Sequence, residues 1–160
     1  KADKLMIMLG EVDCGFVIWV RSKRYNITVD EQINESIYNL FNFIQNEIIN
    51  NDKYKPRDII IAGSILPTIR DNTDKNFLGG ARSEVDVSQK IRTIKTIEYN
   101  NILKIKCNEH GYKYIDITNF ILDRKENVVK SIFLNKNPHD HNLDNEKTYK
   151  LWISQLDTIL

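Results

Sequence analysis

Three short apolar runs separated by long helical stretches are the feature that most restricts how this chain can fold. LMIML at Leu5–Leu9, Ile59–Ala62 within DIIIAGS, and YKYIDI at Tyr112–Ile117 each have the length of a strand. The first two are continuous rather than alternating, which predicts strands covered on both faces. Between them Val29, Ile33, Ile37, Leu40, Phe41, Ile44 and Ile48 recur at three- and four-residue steps and predict a helix with one apolar stripe. Thr28 before it and Glu31 three residues on form a capping-box pattern. Val87, Ile91, Ile94, Ile97, Leu103 and Cys107 predict a looser second helix. A last helix from about Asn145 places Tyr149, Trp152, Ile153 and Leu156 inward. Strands joined by helical crossovers of a dozen or more residues pair in parallel. The expectation is therefore an α/β fold, a three-layer αβα arrangement around a parallel sheet, with residues 1–160 in a single domain.

Composition removes several classes of function. A formal net charge of +1 gives no electrostatic footprint for nucleic acid or for an anionic membrane. No run approaches the roughly 18 apolar residues of a membrane span and no signal peptide is visible, so a cytoplasmic setting is expected. The two cysteines, Cys14 and Cys107, make neither a disulfide framework nor a zinc motif, and their apolar neighbours predict reduced, half-buried thiols. The chain opens on Lys1 and enters a strand almost at once, which fits the C-terminal portion of a longer domain.

Chemistry-bearing residues gather in two segments. GEVDC, Gly10 to Cys14, lies at the carboxyl end of the first strand, where open α/β sheets place ligands. Glu11 and Asp13 there could bind a metal, orient a base or hold a sugar hydroxyl; alternatively Asp13 caps the next turn and Glu11 is solvated. NPHDHNLD, Asn137 to Asp144, sets Asp140 between His139 and His141, the pairing that general-base chemistry uses. Adjacent residues of an extended chain point apart, so Asp140 need not orient either ring. His139 and His141 share a face in that conformation and with Asp13 could form a metal site. The plainer alternative is a polar loop whose Asp and Asn residues start the last helix. The long loop from Leu66 to Glu84 follows the end of the second strand and is a further ligand-binding candidate. Ser64 lacks the flanking glycines of a nucleophile elbow and reads as a strand-end residue. His110, before Gly111, reads as the end of a helix.

In their order these segments resemble the second half of an SGNH (GDSL-type) hydrolase domain, whose sheet is flavodoxin-like. Gly10, Glu11, Val12 and Asp13 stand where that family has Gly-x-Asn-Asp, Tyr114 to Ile117 match its "yiDi" strand, and Asp140 to Leu143 match its Asp-x-x-His-Leu block. GEVDC, LPT, RSEVDVSQKIRTI and YNNILKIKCNEHGYKYIDI look like a subgroup associated with bacterial surface polysaccharides. Three departures accompany the likeness. The Gly-Asp-Ser block bearing the nucleophile is absent, Val12 replaces the oxyanion-hole Asn, and Asn142 replaces the His before Leu143. Loss of one oxyanion donor costs about 10²–10³ in rate.

The resemblance implies a hydrolase or acyltransferase, an esterase-like enzyme acting on acyl (acetyl) esters of a glycan without a cofactor. A serine from outside this segment would attack, His141 would take its proton, and Asp140 or Asp13 would orient the ring. Gly10, Glu11, Asn142 and His139 would contact substrate, with backbone N–H groups near Gly10 at the oxyanion. Two other readings remain: a non-catalytic glycan-binding or assembly module, and a metal-dependent hydrolase using Asp13, His139 and His141. In the family the serine-bearing strand lies beside the one matching Leu5–Leu9, and exposed apolar edges are avoided. Another segment, or another chain such as a second copy, is expected to cover that edge, and a bare edge counts against the idea.

Overall fold

The computed structural model describes residues 2–51, 54–137 and 140–160. Three strands, β1 (Leu5–Met8), β2 (Ile59–Ala62) and β3 (Lys113–Ile115), form a parallel sheet in the order β1-β2-β3. The register pairs Leu5 with Ile59 and Ile60 with Lys113. The chain is thus α/β with helical crossovers, as the alternation of runs predicts.

The first crossover holds two helices. Residues Asp13–Val17 form a wide π-helical turn that continues into α1 (Ile18–Tyr25), and Asn26 ends it in the left-handed conformation. The helix α2 (Val29–Phe43) follows and runs on as a second wide turn, Ile44–Ile49. Its capping box is present: Thr28 Oγ1 accepts from the Glu31 N–H at 3.2 Å, and Glu31 accepts from the Thr28 N–H at 2.8 Å. Ile33, Ile37, Leu40, Phe41, Ile44 and Ile48 are buried as their spacing requires. They pack with Ile59, Ile61, Tyr99, Leu103 and Cys107 against one face of the sheet. Burying each such side chain stabilises by about 1.5–3 kcal/mol.

The second crossover contains a short α3 (Ala81–Glu84) and the long α4 (Gln89–His110), ended by Gly111 in the left-handed conformation. Here the expected stripe is corrected. Ile91 and Ile94 are exposed, while Arg92, Thr93, Thr96 and Asn100 are buried beside Tyr99, Leu103 and Cys107. This helix buries a largely polar face because it serves the strand ends and their loops as well as the apolar core.

After β3 come α5 (Thr118–Ile121) and a two-stranded antiparallel sheet of β4 (Leu122–Asp123) and β5 (Val128–Val129). The last helix, α6 (Asn145–Asp157), covers the opposite face of the parallel sheet through Trp152 and Leu156, packed on Ile60, Ala62 and Ile115. Tyr149 and Ile153, expected inward, are half-exposed, because Thr148, Leu151 and Trp152 take the buried side.

A second correction concerns β1. Leu5 and Ile7 pack on the main core, but Met6 and Met8, on the other face, are 38% and 41% exposed. Among the described residues β1 pairs with β2 alone, and α6 reaches only β2 and β3 on that face. Cover on both faces is therefore absent, and among the described residues no segment closes the edge, an outcome that counts against the expected covering strand. The thiols of Cys14 and Cys107 are fully buried rather than half-buried. Among the described residues no helix is long and apolar enough to cross a membrane.

Candidate functional site

The carboxyl ends of β1 and β2 carry two polar clusters built in different ways. At the β2–β3 end every group is committed. The Asn100 side chain, reaching from α4, accepts from the Ser64 N–H at 2.7 Å and donates to the Ser64 carbonyl at 2.9 Å and to Thr118 Oγ1 at 3.3 Å. Asp116 accepts from the Tyr114 hydroxyl at 2.9 Å and from the Thr118 N–H at 2.7 Å. Gly63 is obligatory between them, since a Cβ there would lie 2.7 Å from Asp116 Cβ. Ser64 is buried within this clamp, and Cys14, beside Ser64 and Thr96, has its thiol pushed up to about 12 by burial. Neither group is presented as a nucleophile.

The second cluster lies at the end of β1. Gly10 turns the chain at a φ of 103°, with the Tyr99 ring so close that a Cβ would sit 2.9 Å from it. Glu11 follows, half-buried. Burial raises its carboxyl above the ordinary 4.5, against the attraction of His141 and then of Arg82. Asp13 does not join it. The chain is helical here, so residues two apart point to different sides, and Asp13 accepts from Ser36 Oγ at 2.8 Å on the α2 side.

Arg82 arrives from α3. Gly80, at a φ of 58°, starts that turn, Ser83 Oγ donates to its carbonyl at 2.8 Å, and Glu84 ties α3 to Arg24 of α1 at 2.6 Å. Arg82 reaches His141 Nε2 at 3.4 Å and lies 5.0 Å over the Phe16 ring. Its buried Nε finds no acceptor among the described residues.

His141 is placed by backbone. Leu134 and Leu143 form an antiparallel bridge that closes the loop carrying it, buried Leu143 anchors that loop, and Thr68 Oγ1 donates to the His141 carbonyl. Asp140 does not hold the ring. Its carboxylate accepts from the Asn142 N–H and side-chain amide, both at 2.8 Å, and from Asn135 at 2.9 Å. Those Asn142 donors keep its pKa below the ordinary carboxylate range, with the charge of His141 a smaller cause. Asn142 is exposed and spends its amide on Asp140, and Asp144 caps α6.

Of the residues singled out from sequence, Glu11 and Asp140 both feel the charge of His141, with no hydrogen bond to its ring among the described residues, while Asp13, Asp140 and Asn142 have other hydrogen-bond partners. His139 lies outside the described residues. Among the described residues no three His, Cys, Asp or Glu side chains are grouped to hold a metal. Sequence reasoning marked the Leu66–Glu84 loop as a ligand-binding candidate without assigning a role to Arg82 or Thr68 within it, and it passed over Phe16. The signal for Arg82 was the Gly79–Gly80 pair just before a cation, in a loop that follows a strand end.

The cluster thus sets an imidazole against a guanidinium at 3.4 Å, with the half-buried Glu11 carboxyl within reach of both charges. No protein-family model, curated protein or solved structure gives a significant match to the chain.

Proposed function

We propose that the chain carries the acid–base and substrate-holding part of an SGNH-like hydrolase or acyltransferase that acts on acyl (acetyl) esters of a glycan. The observation that carries this reading is the meeting of His141, Glu11 and Arg82 at the carboxyl ends of parallel strands. His141 takes the proton of the attacking hydroxyl. Glu11, rather than Asp140 or Asp13, is the carboxylate that stabilises the charged ring. Arg82 offsets charge that develops on the acyl oxygen.

Among the described residues no serine is hydrogen-bonded to His141, so the nucleophile in this reading comes from outside the 160 residues. The open edge of β1 counts against the reading unless a serine-bearing strand from outside these residues pairs along it in the manner of a flavodoxin-like, SGNH-type sheet. A second chain could supply the same cover. Two buried free thiols favour a reducing, cytoplasmic setting.

Val12 supports a second reading. It is 47% exposed where the family places an amide donor, and an apolar group there suits a module that binds glycan without turnover. Hydrolysis of a chromogenic acetyl ester by the intact protein separates the two. His141→Ala should lower kcat/KM by about 10²–10⁴. Unchanged turnover in that variant overturns the role of His141; absent turnover with retained saccharide binding selects the second reading.

A further inference from the structure

Two pockets are lined by residues that contact His141, Arg82 in one and Thr68 in the other, and Arg70 lines both. One, of about 280 Å³, runs under Arg82 between Phe16 and Ser88. The other, of about 400 Å³, lies against Thr68, Asn135 and Asp140. Their charge differs. The larger carries Arg70 and Lys136 against Asp74 and Asp140, an even balance. The smaller carries Arg70, Lys75, Arg82 and Arg92 against Asp71 and Asp86, a surplus of two cations.

Which cations are free is decided by geometry. Buried Arg92 donates to the Ile69 carbonyl at 2.7 Å and to the Val87 carbonyl at 3.1 Å, with Asp71 at 3.9 Å. Lys75 faces Asp86 at 3.5 Å. Arg70 is exposed and its guanidinium has no partner among the described residues. Arg82 is hydrogen-bonded to no carboxylate; Glu11 attracts it from a distance, and its buried Nε lacks an acceptor. Two guanidiniums without a carboxylate partner, Arg70 and Arg82, line this one pocket, which is a setting for an incoming anion.

We propose that the pocket between Arg70 and Arg82 binds an anionic group, a carboxylate or a phosphate, so that the substrate of the proposed site is an acidic glycan. This rests on the acyl-ester reading for the word glycan, but the anion pocket stands on its own residues.

The test is calorimetric binding of glucuronate, glucose 6-phosphate and glucose to the intact protein, without any acyl ester. One or both charged sugars should bind at least about tenfold tighter than glucose, as a charge-assisted Arg contact implies. Preference for glucuronate assigns a carboxylate, and preference for the phosphate ester assigns a phosphoryl group. Arg82→Gln should abolish the preference. Arg70→Gln, at an exposed side chain with no hydrogen-bond or ion-pair partner among the described residues, should reduce it in a protein that folds normally. Equal binding of all three sugars, or a preference that survives both substitutions, overturns the anion pocket. Loss of the ester-hydrolysis result with a retained charge preference would instead remove the acyl-ester reading and leave the pocket in place.

Discussion

The two polar clusters at the carboxyl end of the sheet lie within one layer of each other and are built to opposite rules. The Asn100 clamp is buried, and each of its polar groups has a partner inside the protein. The Glu11–Arg82–His141 cluster contains a raised carboxyl, a long 3.4 Å contact and an orphaned guanidinium nitrogen. Satisfied buried networks rigidify a fold, whereas unsatisfied buried groups cost it free energy and persist where they do something else. The first cluster holds the strand ends in place; the second is held in place by them.

The largest effect should come from cutting the clamp. Asn100→Ala leaves the Ser64 N–H and carbonyl without partners in the core, and should cost about 2–4 kcal/mol. For a chain of this size that lowers Tm by roughly 5–15 °C in a thermal melt. A variant that melts within a degree or two of the parent would show that the clamp is not a structural anchor, and the contrast would dissolve.

Changes in the other cluster should be nearly silent in the same assay. His141 is positioned through its carbonyl and through Leu143, neither of which the side chain affects. Arg82→Gln removes an Nε donor that has no acceptor, and with it only one long 3.4 Å contact to His141 and the stack on Phe16. Both His141→Ala and Arg82→Gln should therefore alter stability by less than about 0.5 kcal/mol. A loss as large as that of Asn100→Ala would reassign the cluster to fold maintenance.

The contrast also explains what could be read from the sequence. The helix α2 was legible because its buried side chains, Gln32 apart, are apolar and follow a 3.6-residue period. Its neighbour α4 was misread, since Arg92, Thr93, Thr96 and Asn100 occupy the buried face and leave Ile91 and Ile94 outside. Hydrophobic periodicity cannot report a helix whose inward side is a hydrogen-bonding platform. The wide turn Asp13–Val17 and α1 hid for a related reason: GEVDC reads as a strand-end loop, and its helical geometry is what separates Glu11 from Asp13. His141 was legible from residue type alone. Its contact with Arg82 was not, because Arg82 is 59 residues away in the chain and the Gly79–Gly80 pair marks a turn there without showing what the turn approaches.

The smallest effect, and the most discriminating in sign, concerns Glu11. Burial raises its folded pKa above the ordinary 4.5, so the native state holds that proton more tightly than the unfolded chain does. Its contribution therefore favours the folded state most at low pH and is lost as pH rises from about 4.5 through the raised value. Glu11→Gln removes the ionisation, so the Tm of the variant should exceed that of the parent at pH 7–8, and the advantage should disappear below about pH 4. Glu31, whose carboxyl is lowered by its bonds to Thr28, supplies the opposite sign: Glu31→Ala should lower Tm at neutral pH and matter less as the pH falls below 4. If Glu11→Gln instead melted lower than the parent at neutral pH, the attraction of His141 and Arg82 would outweigh burial. The cluster would then be an ion-paired structural site like the capping box, rather than one that bears a desolvated carboxyl for chemistry.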